Sequence, residues 1–139
     1  MTIDEIQDLL IEEFELYHDW SERYEYIIDI GKELAPLSES YKTDDNKIRG
    51  CQSQVWLHAY CEDGILHFEA DSDALITKGI VSMLVKVLSG HKPAEVAAAD
   101  LYFIQRIGLQ EHLSPTRANG LASMIKQMKL YAVTFNTIH

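Results

Sequence analysis

Residues 54–70 constrain the fold more than any other stretch. Two runs, 54–61 and 65–70, alternate apolar with polar or aromatic side chains and flank Glu62-Asp63-Gly64. An Asp-Gly pair between two such runs is a strong local signal for a β-hairpin. On its first strand Val55, Leu57, Ala59 and Cys61 share one face, and Trp56, His58 and Tyr60 share the other. No other stretch of the chain reads this way, so helices must cover what the hairpin leaves open.

Helical period runs through most of the remainder. Thr2 and Glu5 have capping-box spacing, and Ile3, Ile6, Leu9, Leu10, Phe14 and Tyr17 follow on a stripe. Asp19, with Glu22 three residues on, predicts a second helix carrying Tyr24, Ile27, Ile28, Gly31 and Leu34, with Pro36 beyond its end. After the hairpin, Asp71-Ser72-Asp73 offers N-caps for a helix whose broad apolar stripe runs from Leu75 to Leu88 and stops at Gly90. Lys92-Pro93 predicts a short helix with proline at its first position, and residues 103–107 one more turn stopped by Gly108. Ser114-Pro115 opens a long last helix through Leu121, Met124, Met128, Ala132 and Phe135. Helix, helix, hairpin, helices is an α+β order, with an antiparallel sheet and helices packed on one side. The 139 residues correspond to one domain, 1–139.

Charge excludes several function classes. Twelve Lys and Arg against 22 Asp and Glu give −10. Phosphate backbones and anionic lipid surfaces repel such a chain, so neither nucleic acid nor membrane is an expected partner. The most apolar stretch, 79–88, is too short to span a bilayer and contains Lys86. The acidic start, Met1-Thr2-Ile3-Asp4-Glu5, resembles neither a secretory signal nor a transit peptide. Two cysteines in such a chain read as reduced thiols, and the expected compartment is the cytoplasm. The charge is also uneven. Nine acidic side chains fall in the first 25 residues, whereas beyond Glu111 there are none, and Arg117, Lys126 and Lys129 are basic. Solvated helix faces explain this, as does an orienting field for a protein partner.

Residues 35–50 form a long polar segment ending in Arg49-Gly50-Cys51, just before the first strand. Long loops inside a small domain are often functional. Glycine before a cysteine clears space for a reactant, and Lys47 and Arg49 nearby favour thiolate over thiol. Two readings of Cys51 stand on spacing alone: a nucleophile, or a small buried apolar residue. Cys61, at the end of the strand face with Val55, Leu57 and Ala59, reads as packing.

Cys51, His58, Cys61 and His67 fall within 17 residues, and His58 and His67 lie on strands expected to pair. The spacing matches no common zinc pattern. A thiol hydrolase would need one of His18, His58, His67, His91, His112 or His139 as base, and none of these lies in a recognisable catalytic motif. Phosphate loops, GxSxG and HExxH are absent.

Arg49-Gly50-Cys51-Gln52-Ser53-Gln54-Val55-Trp56 resembles the cysteine motif of the SufE family (SufE/CsdE-like) of sulfur-acceptor proteins. The resemblance continues through Ala70-Asp71-Ser72-Asp73-Ala74 and resumes at Leu113-Ser114-Pro115-Thr116-Arg117-Ala118-Asn119-Gly120-Leu121. It implies a SufE/IscU-like fold and a sulfur carrier that is not itself an enzyme. Its partner would be a cysteine desulfurase (SufS/CsdA-like) carrying pyridoxal phosphate, and this chain would need no cofactor or metal. Cys51 would accept persulfide sulfur, activate the desulfurase, and pass the sulfur to an iron–sulfur cluster scaffold (SufBCD-like). By motif position Arg117 would stabilise a thiolate or persulfide anion, and Asp73 would hold the loop. The segment 35–50 would shield Cys51 when idle and extend it on docking. A homodimer is compatible with this reading. The alternative is an IscU-type iron–sulfur or zinc scaffold using Cys51, Cys61 and histidines, which cluster ligation by several thiolates disfavours.

Overall fold

The computed structural model describes residues 1–138. Its first helix, α1 (Ile3–Glu15), opens on the expected capping box: Thr2 Oγ1 accepts from the Glu5 N–H, and the Glu5 carboxylate accepts from the Thr2 N–H. Its buried stripe is Ile3, Gln7, Leu10, Ile11 and Phe14, so Gln7 takes a place that periodicity gives to an apolar residue, and Leu9 faces outward. Gln7 is tolerated there because its amide is satisfied. Nε2 donates to the Asp100 carbonyl at 3.0 Å, and Oε1 accepts from the Phe103 N–H at 3.1 Å. Helix α2 (Trp20–Lys32) starts at Asp19, whose carboxylate accepts from the Glu22 N–H.

Strands β1 (Val55–Glu62) and β2 (Ile65–Ser72) form the two-stranded antiparallel sheet. Asp63 and Gly64 both have positive φ, as a tight two-residue turn of this kind requires. Val55 and Leu57 are fully buried, but towards the turn Ala59 and Cys61 are only half-buried, because the core ends before the strand does. The register sets His58 opposite Glu69 and Tyr60 opposite His67. His58 and His67 are therefore diagonal rather than direct neighbours, with the Tyr60 ring stacked between them.

Helix α3 (Leu75–Leu88) is the centre of the molecule. It packs against β2 on one side and α2 on another, and Ile80, Val81, Met83, Leu84, Val87 and Leu88 are buried. Leu75, counted on its apolar stripe, is exposed in its first turn. Where α3 crosses α2, Gly79 lies against Ile27 and Gly31, and the two backbones touch. Helices α4 (Pro93–Ala98) and α5 (Phe103–Ile107) follow, the latter ending on Gly108 at φ +78°. The long α6 (Pro115–Ile138) then packs on α4 and α3, with Ser114 Oγ accepting from the Arg117 N–H in its first turn. Among the described residues no helix is long and apolar enough to cross a membrane. His139 lies outside the described residues.

Candidate functional site: the Cys51 loop on α6

The segment 35–50 is less open than its composition suggests. Short 3-10 turns form at Glu39–Tyr41 and Asp44–Asn46. Lys42 Nζ reaches Asp71 at 3.0 Å, and Lys78 reaches the same carboxylate at 3.3 Å. Burial alone would raise the Asp71 carboxyl; hydrogen bonds from Lys42, the Ser72 N–H and Lys78 hold it below the usual carboxylate range instead. The Ile48 N–H then donates to the Val55 carbonyl at 2.8 Å. That bond closes a short loop, residues 49–54, with Cys51 inside it.

The loop rests on α6 because two small residues there let it approach. A Cβ on Gly120 would meet Cys51 Sγ at 3.3 Å, and a Cβ on Gly50 would meet Ser123 Oγ at 2.5 Å. Gly50 has φ +92°, a conformation that side-chain-bearing residues rarely adopt. The Cys51 thiol points at the Gly120 carbonyl, 3.7 Å away. It opens on a cavity of about 320 Å³ also lined by Thr77, Ile80, Arg117 and Met124.

Cys51 and Arg117 thus share one cavity wall, as a joint role would need. Asp73 does not line it. Its carboxylate accepts from the Gln54 N–H at 3.0 Å and from Gln54 Nε2 at 3.1 Å. Ser72 Oγ donates to the Gln54 carbonyl at 2.8 Å. Asp73 therefore fastens the end of the Cys51 loop to the end of the hairpin. This corrects the reading of Asp71-Ser72-Asp73 as N-caps. The N-cap of α3 is Ala74, without a side-chain cap bond, because the three polar side chains are spent on Lys42, Lys78 and Gln54, apart from one 3.3 Å contact from the Ala74 N–H to Ser72 Oγ. Gln54, Gly120 and Ser123 were not singled out by the sequence as site residues. Their contribution is contact across more than sixty residues of chain for the α6 pair, which no local pattern records.

The electrostatics also differ from expectation. Burial pushes the Cys51 thiol up, and the flanking cations do not offset it. Lys47 is paired with Asp44 at 3.1 Å, and Arg49 is exposed to solvent. The resting thiol is therefore protonated at neutral pH. Iodoacetamide labelling of Cys51, followed on its own peptide, should be slower at pH 7 than for free cysteine and should keep rising with pH beyond the point where free cysteine levels off. A rate that levels off below pH 8 would contradict this.

No histidine lines the Cys51 cavity, so a thiol hydrolase finds no base there among the described residues. His91 is buried and held by the Met1 and Leu88 carbonyls, and His112 stacks on Trp20. Among the described residues no group of three or more His, Cys, Asp and Glu is placed to hold a metal ion. Cys51 precedes β1 while Cys61 lies within it, next to its last residue, and His58 stacks between Tyr41 and Tyr60.

Comparison with known proteins shows the family of the chain. The SufE family profile, described as an Fe–S metabolism associated domain, matches residues 8–132. A SufE-like protein of Rhizobium meliloti is 42% identical over 127 residues, covering 88% of this chain and 91% of its own. One from Synechocystis is 40% identical, covering 91% and 79%. The Arabidopsis thaliana SufE-like protein 1, chloroplastic/mitochondrial, is 41% identical over 94% of this chain but only 36% of its own length. A solution structure of a hypothetical protein from Thermus thermophilus superposes with a TM-score of 0.78 over 95% of this chain and 96% of its own, at 19% identity, a likeness of fold. A profile spanning nearly the whole chain and relatives near 40% identity place it in the SufE family, whose domain is associated with Fe–S metabolism.

Proposed function

We propose that the chain is a sulfur acceptor for a pyridoxal-phosphate cysteine desulfurase, with Cys51 as the accepting atom. One observation carries this reading: the motif cysteine opens on a cavity that it shares with Arg117, with no histidine among the described residues that line it. A guanidinium on that wall suits the anionic product of sulfur transfer. The step is exchange at sulfur. The Cys51 thiolate attacks the outer sulfur of the donor persulfide. A bond forms between Cys51 Sγ and that sulfur, the donor's S–S bond breaks, and the donor thiolate leaves. Cys51 then carries the persulfide, with no net oxidation and no cofactor on this chain. The chain is a carrier and activator, with an iron–sulfur scaffold as recipient.

Because the resting thiol is half-buried and protonated, docking must both expose and ionise it. The 49–54 loop is the element to move, hinged at Gly50, while the ion pairs at Asp71 hold the segment before it. Arg117 supplies a guanidinium on the cavity wall, with no ion-pair partner among the described residues. A charge-assisted bond from it to the thiolate or persulfide contributes about 1.5–3 kcal/mol. Arg117→Ala should slow sulfur transfer roughly tenfold or more. Its melting temperature should barely change, because the side chain is exposed. A large stability loss with normal transfer would make Arg117 a structural residue. The reading as a whole is tested by adding the chain to a cysteine desulfurase and cysteine. Alanine formation should rise, and an unchanged rate would count against the activator role.

A further inference from the structure

Two cavities flank the Cys51 loop. The first holds Cys51 and Arg117; the second, about 330 Å³, lies further along α6. The charged side chains lining the second are Lys47, Arg49, Lys126 and Asp45. Together the two walls carry four cations and one acid, on a chain where acids outnumber cations 22 to 12. Arg49, Arg117 and Lys126 are exposed, and none has a carboxylate partner among the described residues. Arg117 and Lys126 are nine residues apart on α6, about 14 Å along its axis, and project to opposite sides of the strip on which the loop rests. Arg49 stands in the loop itself.

We infer that Arg49, Arg117 and Lys126 form a basic collar around Cys51 that docks an acidic rim on the sulfur-donating protein. The inference rests on the acceptor reading above and adds the chemistry of its partner. The sign of the patch selects the partner. A long polyanion would meet the −10 of the whole chain, whereas a compact acidic rim meets only the collar, since at physiological salt fields fade within about 8 Å. A second copy offers acid as well, on its first 25 residues, but seated on the collar it would cover the thiol that must receive sulfur. Unpaired rim charges of this kind act mainly by speeding encounter and fixing orientation.

The test is the salt dependence of kcat/KM for sulfur transfer from the organism's own cysteine desulfurase to the full chain and to its Arg49→Glu, Lys126→Glu double variant. At low salt the variant should be about tenfold slower, and the two should converge near 1 M salt, where the Debye length is about 3 Å. Equal rates at every salt concentration would overturn the collar and leave the acceptor reading standing. A deficit of the same size at every salt would overturn it too, because damage to the loop is not screened. Low-salt self-association that the reversal abolishes without slowing transfer would give the collar to a second copy instead. Failure of the parent chain to take up sulfur at any salt would end the acceptor reading itself.

Discussion

Cys51→Ser should reduce sulfur acceptance and desulfurase stimulation to background. A serine hydroxyl cannot form the sulfur–sulfur bond that carries the transfer, so no residual rate is expected from that position. Folding should survive. The side chain is half-buried, and its polar contact is to the Gly120 carbonyl, which a hydroxyl can also reach. Cys61→Ser is the matched control and should keep most of both activities. The Cys61 sulfur lies at the far end of β1, six residues or about 20 Å of strand beyond Val55. It does not line the Cys51 cavity. Retained transfer in Cys51→Ser, or its loss in Cys61→Ser, would reassign the accepting atom.

Gly79→Ala should cost the fold about 3 kcal/mol, towards the upper end of what overpacking does, and lower the melting temperature by roughly 10 °C. Two effects compete. Alanine is the better helix former by about 1 kcal/mol. Against that, its Cβ would sit 2.1 Å from the Ile27 carbonyl oxygen and 2.5 Å from Ile27 Cγ2. The carbonyl is backbone of α2 and cannot swing aside, so the helices must part and expose the buried faces of α2 and α3. Gly31 faces the same contact from the other side, where a Cβ would meet the Gly79 nitrogen at 2.8 Å. An unchanged thermal midpoint in Gly79→Ala would mean that the two helices do not cross this closely. Thermal unfolding monitored by circular dichroism separates the two outcomes.

Features with a local physical cause were legible in the chain. The capping box at Thr2 and Glu5, the Asp19 cap, the Asp-Gly hairpin turn, the Pro93 start and the Gly108 stop all depend on residues within four positions of one another, and all are present. What was not legible depends on distant partners. Gln7 sits in the apolar stripe of α1 because a carbonyl and an N–H near residue 100 satisfy its amide. Ser72 and Asp73 pass over the helix N-cap because Gln54 competes for them across the sheet end. At the site the motif gave Cys51 and, through the resemblance, Arg117, and the fold brings both to one wall. The expected thiolate-stabilising role of Lys47 and Arg49 did not appear, because sequence proximity to a cysteine says nothing about which way a cation faces or whether α6 covers the sulfur. Gly120 is the counterpart case: it has an ordinary helical setting, and its purpose is visible only with Cys51 Sγ lying 3.3 Å from where a Cβ would be.

Intact-mass analysis after incubation with a cysteine desulfurase and cysteine tests the central claim most directly. The chain should gain the mass of a single sulfur atom, lose it on reduction, and carry it on the peptide containing Cys51. A gain that maps to Cys61, a bound iron or zinc in place of added sulfur, or no gain under conditions where the desulfurase itself is persulfidated would contradict it.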